Sequence, residues 1–158
     1  MIKYIKGNIL EDVENFPNKP IIFPHVCNTD GVMGSGIALG IRNTWPKAEK
    51  VYSDVFKRDG ELVLGTNQVV KVSDNIYVTN MIAQTSVIDK KPIKYAALVK
   101  CMKSIANLFE KDQYKSGQIR TVKFGGLRAG GTWEFIEELI DEIWKDIPVY
   151  IYCLEDQI

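Results

Sequence analysis

Three polar residues around the end of one apolar run carry side chains suited to chemistry. Asn28 and Asp30 follow the strand-like run 20–26, and His25, the only histidine of the chain, lies within it. A carboxylate or an imidazole can orient or deprotonate water near neutral pH, and a carboxamide can hold a ligand. These three are the candidate catalytic residues. Each also has a structural interpretation, because Asn and Asp are common turn residues and a strand histidine is often part of the core.

A glycine-rich loop follows, between the predicted strand and a predicted helix. Its glycines allow positive φ and a close approach of a ligand to the main chain. A helix starting at Gly36 presents free N–H groups that favour an anion. We interpret the segment as a phosphate-binding loop, with predicted ligand contacts at Gly31, Val32, Met33, Gly34, Ser35, Gly36 and Ile37.

A second glycine loop lies between the predicted strand 118–124 and the predicted helix 132–145. Loops after parallel strands of one sheet face a common crevice, so a diphosphate could lie between the two loops. Main-chain N–H groups could hold it with no lysine, metal or cofactor. The predicted contacts here are Phe124, Gly125, Gly126, Leu127, Arg128, Ala129 and Gly130.

The glycine spacing excludes several other nucleotide-binding motifs. Residues 34–40 read GxGxxxG, which differs from the GxGxxG of dinucleotide-binding folds. The chain has no GxxxxGK[ST] phosphate loop, and residues 34–36 do not have the spacing of a GxSxG nucleophile elbow.

Apolar runs and helical patterns alternate along the chain in the order β, β, α, α, β, β, α, β, α, β. Such alternation predicts a central sheet covered on both faces, hence an α/β protein with a three-layer α/β/α sandwich and a mixed sheet, in one domain over 1–158. The predicted strands are 2–6, 20–26, 68–72, 76–81, 118–124 and 149–154, and the predicted helices are 36–44, 46–59, 92–111 and 132–145.

Composition narrows the partners and the compartment. Twenty basic residues balance twenty acidic ones, which argues against duplex nucleic acid as a partner. No apolar run approaches the ~20 residues that span a bilayer, so we expect no membrane association. The three cysteines are scattered without zinc-ligand spacing, which predicts reduced thiols, a cytoplasmic location and no metal site.

Four segments resemble the macro domain family, in its small stand-alone branch of bacteria and phages. They are KGNIL (6–10), CNTDGVMGSGIAL (27–39), TNMIAQ (79–84) and GGLRAGGTWE (125–134). This branch is related to ADP-ribose-1''-phosphate phosphatases and to hydrolases that remove terminal ADP-ribose. The resemblance covers nearly the whole chain and implies a macro domain-like fold with an ADP-ribose crevice.

The resemblance also implies roles for individual residues. Asn8, followed by Ile9, stands where the family usually has an aspartate that contacts adenine. Asn28 matches the asparagine facing the distal ribose. Asn80 and Gln84 fall beside the distal ribose or its 1''-phosphate, and the two glycine loops match those that hold the diphosphate.

The implied reaction is hydrolysis of ADP-ribose 1''-phosphate, with Asp30 or His25 assisting water. Some family hydrolases use a lysine after the fourth strand and an aspartate in the second loop, and both are missing here. A binding module that reads ADP-ribose without turnover is therefore an alternative. A hydrolase acting on ADP-ribosylated macromolecules is a further one.

Overall fold

A six-stranded mixed sheet forms the middle layer of the structure, a computed structural model that describes residues 2–86, 88–126 and 129–154. Its order is β1-β6-β5-β2-β4-β3, and only β3 runs antiparallel to its neighbour. The strands are β1 (Ile2–Lys6), β2 (Ile21–Asn28), β3 (Asn67–Lys71), β4 (Ile76–Gln84), β5 (Gln118–Val122) and β6 (Val149–Cys153). The helices are α1 (Gly36–Thr44), α2 (Pro46–Asp59), α3 (Tyr95–Leu108) and α4 (Trp133–Ile143), with 3₁₀ turns at Ile9–Glu11 and Val13–Asn15.

The helices cover the two faces of the sheet, as the alternating pattern predicted. Leu98 of α3 and Ile140 of α4 share a buried cluster with Ile22 of β2. Ile41 of α1 lies in a separate cluster with Phe23, the next residue of β2. Successive strand side chains point to opposite faces, so β2 contributes to both cores and reads as a continuous apolar run. The three-layer α/β/α architecture is thus confirmed.

The chain leaves β2 and β5, which are neighbours, in opposite directions. From β2 it runs through α1 and α2 to β3 and β4 on one side, and from β5 it runs through α4 to β6 on the other. The β2–β5 ladder ends at Ile22 and Ile119, and Pro24 has no N–H with which to continue it. Such a reversal of strand order is where open α/β sheets bind ligands, outside the carboxyl ends of the strands.

The predicted and observed elements differ most around α3 and β4. The helix pattern extends from 92, but α3 begins at Tyr95, because Ile93 is held in a β-bridge and Lys94 is extended, with its N–H donating to the main-chain oxygen of Ala83. Strand β4 continues to Gln84, where an isolated bridge to Ile93 extends the pairing. Tertiary contacts thus override the local pattern at both places.

Across the described ranges, no helix combines the length and apolarity needed to cross a bilayer.

Candidate functional site

The first glycine loop leads directly into an uncapped helix. Ser35 occupies the N-cap position of α1 in an extended conformation, but its side chain makes no capping hydrogen bond. Gly36 has a φ of 58°, which favours glycine, and residues 34–36 are exposed. Among the described residues, no side chain accepts from the first-turn N–H groups of α1, an arrangement that suits an anion.

The start of this loop is organised by the Asn28 side chain. Its Oδ1 accepts from the N–H of Asp30 at 3.0 Å, and its Nδ2 donates to the main-chain oxygen of Val32 at 3.0 Å. The Tyr52 hydroxyl of α2 lies 2.7 Å from the same Oδ1 and 2.6 Å from the main-chain oxygen of Asn28. Every polar atom of this nearly buried carboxamide is thus engaged within the protein.

Asp30 follows β2 and Gln84 ends β4, so both lie at the carboxyl edge of these neighbouring strands. The register between these strands shifts after Cys27, so that Asn28 pairs with Gln84. Such irregularities re-aim side chains at the end of a strand. Asp30 is half-buried, and its Oδ2 accepts from the Ser86 hydroxyl at 3.0 Å, which joins the first loop to the segment that follows β4.

Main-chain contacts hold the second glycine loop closed. The N–H of Gly131 donates to the oxygen of Gly125 at 2.8 Å, and the N–H of Ala129 donates to the oxygen of Gly126 at 2.9 Å. A Cβ on Gly131 would lie 2.2 Å from the Gly125 oxygen, so only glycine fits there. The N–H of Thr132 donates to the Tyr95 hydroxyl at 2.9 Å, which ties the loop to α3. The predicted contacts Leu127 and Arg128 lie outside the described residues.

Several predicted contact residues can offer a ligand only their main chain. The side chains of Ile9, Met33, Phe124 and Ala129 are buried in the core. Asn8 is exposed at the carboxyl end of β1, on the same edge of the sheet, and its Oδ1 accepts from the N–H of Leu10 at 2.9 Å. This arrangement is consistent with loops that bind through N–H groups rather than through side chains.

His25 and Asn80 do not reach this edge, contrary to the roles predicted for them. Both are 0% exposed, and the His25 Nε2 lies 2.6 Å from the Asn80 Oδ1. Asn80 also donates to the main-chain oxygen of Ala48 and to Gln68. The pair therefore fills the interior beneath α2, where His25 is not placed to orient water from solvent and Asn80 is not placed to meet a ligand.

The buried His25 should make the fold sensitive to acid. Burial lowers the pKa of its imidazole to about 4, whereas the hydrogen bond to Asn80 acts in the opposite direction. Between pH 6.5 and 4 the unfolded chain binds a proton that the folded chain does not, so stability falls as the pH falls. We expect this difference in proton binding to lower the free energy of unfolding by about 3 kcal/mol over that interval.

Denaturant unfolding of the wild type and His25→Gln, at pH 7 and at pH 4, tests the expectation. The carboxylates contribute equally to both proteins and cancel in the comparison. Equal losses of stability in the two proteins would show that His25 does not contribute to the loss of stability in acid.

Sequence reasoning missed three residues that hold the loops, namely Tyr52, Ser86 and Tyr95. Each lies outside the glycine motifs, on a helix or on the segment after β4. Tyr52 belongs to the helical pattern that follows the first loop, where it is a polar member of an otherwise apolar stripe. Because a buried phenol needs a hydrogen-bond partner, this position could have indicated a contact with the loop.

Comparisons with known proteins agree with this fold. A curated ADP-ribose 1''-phosphate phosphatase from Candida albicans is 31% identical over 151 residues, covering 90% of this chain and 93% of that protein. A protein of unknown function from Bacteroides thetaiotaomicron has a TM-score of 0.85 at 33% identity, covering 96% of this chain and 97% of its own. A macrodomain protein from Streptomyces coelicolor has a TM-score of 0.79 at 26% identity, covering 97% and 99%.

No protein-family model matches the sequence. The relatives that align over almost the whole chain nevertheless show to which family this protein belongs. The chain belongs to the macrodomain family, as a relative of the ADP-ribose 1''-phosphate phosphatases.

Proposed function

We propose that this protein binds ADP-ribose and hydrolyses ADP-ribose 1''-phosphate to ADP-ribose and inorganic phosphate. The observation that carries the proposal is that two loops, one leading into the uncapped α1 N-terminus and one closed on itself, follow the neighbouring parallel strands β2 and β5 at the carboxyl edge of the sheet. The name of the Candida albicans relative supports the choice of substrate.

The diphosphate of the ligand would lie across the two loops. The first-turn N–H groups of α1 suit its charge, and the positive φ of Gly125 and Gly130 turns the second loop without side chains in the way. The adenine would extend towards Asn8 and Ile9 at the end of β1, and the distal ribose towards Asn28 and Gln84. Binding of the diphosphate would then hold the 1''-phosphate near the start of the first loop.

Asp30 is the group that would act on water. Its carboxylate is held by Ser86 and is half-buried at the end of β2. In the proposed reaction it orients a water molecule and takes a proton from it as the water oxygen bonds to phosphorus. The bond between phosphorus and the ribose oxygen breaks, and that oxygen takes up a proton from solvent. Positioning and oriented N–H dipoles would supply most of the rate.

A specific feature favours a binding module as the second candidate. The segment TNMIAQ at 79–84 supplies no lysine of the kind that some hydrolases of the family use after the fourth strand. In the second loop, Arg128 and Ala129 stand in place of their aspartate. The same absences weigh against a hydrolase acting on ADP-ribosylated macromolecules.

Two measurements separate these candidates. We expect calorimetric titration with ADP-ribose to show one site, and ADP-ribose 1''-phosphate to release one phosphate for each ADP-ribose formed. A simple sugar 1-phosphate should be a far poorer substrate, because it lacks the diphosphate whose binding energy positions the ester. Tight binding without phosphate release would establish the module, and an empty titration would overturn the site altogether.

A further inference from the structure

We propose that Tyr52 is a positioning residue for the first glycine loop, acting through Asn28 on the turn that carries Asp30. The expected effect of Tyr52 on turnover rests on the proposed function, whereas its effect on the conformation of the loop does not. The inference gives Asn28 a role different from the predicted contact with the ribose, because its carboxamide links α2 to the loop.

Tyr52 reaches the loop from the interior. It is 0% exposed and lies on α2, yet its hydroxyl stands within hydrogen-bond distance of two oxygens of Asn28. Burial raises the pKa of this phenol above its usual range, so the hydroxyl keeps its proton and serves as a donor. With Tyr52 in place, the Asn28 Oδ1 can accept from both the phenol and the N–H of Asp30.

A second contact from the same face of α2 fixes the loop at another point. Phe56 lies one helical turn after Tyr52, and residues four apart share a helix face. A Cβ on Gly31 would lie 2.8 Å from the Phe56 ring, so this ring packs directly against the main chain of the loop. Helix α2 therefore holds the loop through a polar contact at Asn28 and an apolar contact at Gly31.

The held segment is the one that carries Asp30. The Asn28 side chain bonds at Asp30 and Val32, which closes the turn over residues 28–32. The proposed diphosphate site, in contrast, uses the N–H groups at the start of α1, beyond that turn. Loss of the Tyr52 hydroxyl should therefore disturb the orientation of Asp30 more than it disturbs binding of the diphosphate.

Tyr52→Phe tests this, with Tyr77→Phe as the matched control. Tyr77 is also a buried tyrosine with one side-chain hydrogen bond, from Gln113, but it stands near the start of β4, away from the loops. We expect Tyr52→Phe to lower kcat about tenfold, with KM and the Kd for ADP-ribose changed less than about twofold. Tyr77→Phe should change stability alone.

Amide hydrogen exchange at Asp30 provides a readout that does not depend on turnover. The N–H of Asp30 should exchange about ten times faster in Tyr52→Phe than in the wild type, and at the wild-type rate in Tyr77→Phe. Unchanged exchange at Asp30 would overturn the inference, even in a protein that releases no phosphate. Faster exchange with unchanged kcat in an active enzyme would overturn its catalytic part.

Discussion

Gly131→Ala is expected to weaken ADP-ribose binding by about ten- to a hundredfold, since a lost hydrogen bond to a charged group such as the diphosphate costs about 1.5–3 kcal/mol. The added Cβ would lie 2.2 Å from the main-chain oxygen of Gly125, a contact that no side-chain rotation relieves. The hydrogen bond from the Gly131 N–H to that oxygen must therefore break, and the second loop must open. Titration calorimetry of the folded variant with ADP-ribose measures the loss.

Gly117→Ala provides a control with a clash of the same kind elsewhere. Its Cβ would lie 2.3 Å from the main-chain oxygen of Pro20, just before β5 and β2 begin, at the opposite edge of the sheet. We expect this variant to lose stability but to bind ADP-ribose with wild-type affinity wherever it is folded. Equal losses of affinity in both variants would show that the second loop has no particular part in binding.

Asp30→Asn is expected to lower kcat by about two to four orders of magnitude, the range typical of a lost general base. The carboxamide has nearly the same shape and can still accept from Ser86, so the loop should keep its conformation. An interaction that serves only the transition state changes kcat and leaves the Kd for ADP-ribose within about threefold of the wild type. Phosphate-release kinetics and calorimetry on the same preparation measure the two quantities.

Asp89→Asn is the corresponding control. Asp89 is an exposed carboxylate on the segment after β4, where it accepts from the Thr85 hydroxyl, and it is not part of the proposed machinery. Its replacement should leave kcat unchanged. A wild-type kcat in Asp30→Asn would remove Asp30 from the mechanism while leaving the diphosphate site intact.

The ends of helices could be predicted from the sequence wherever the steric preferences of single residues decide them. Trp45 and Pro46 separate α1 from α2 at the predicted residue, because a residue before proline is disfavoured in the helical conformation and proline suits a first turn. Gly60 ends α2 with a φ of 74°, as expected for a glycine after a helix. The predicted strands 68–72 and 76–81 are separated by a short polar gap, a spacing typical of hairpins, and β3 and β4 pair antiparallel.

The start of α3 could not be read in this way. The helical pattern includes Ile93, but a β-bridge to Gln84 at the end of β4 holds this residue extended, and its N–H donates to Ala129 of the second glycine loop. A local pattern contains no information on such a long-range competitor. The same holds for Tyr95, whose hydroxyl serves a loop that follows the next strand.

The chain alone determined where the backbone turns and where it presents N–H groups, because glycine and proline act through their own sterics. Only the tertiary structure decided which polar side chains reach the crevice. The side chains of His25 and Asn80 point to the face that α2 covers, and the Asn28 carboxamide bonds the Tyr52 hydroxyl of that helix. Of the three candidate catalytic residues, it is Asp30 that lies half-buried at the carboxyl edge. Which face of a strand is covered depends on packing between distant segments, and no single run of residues specifies it.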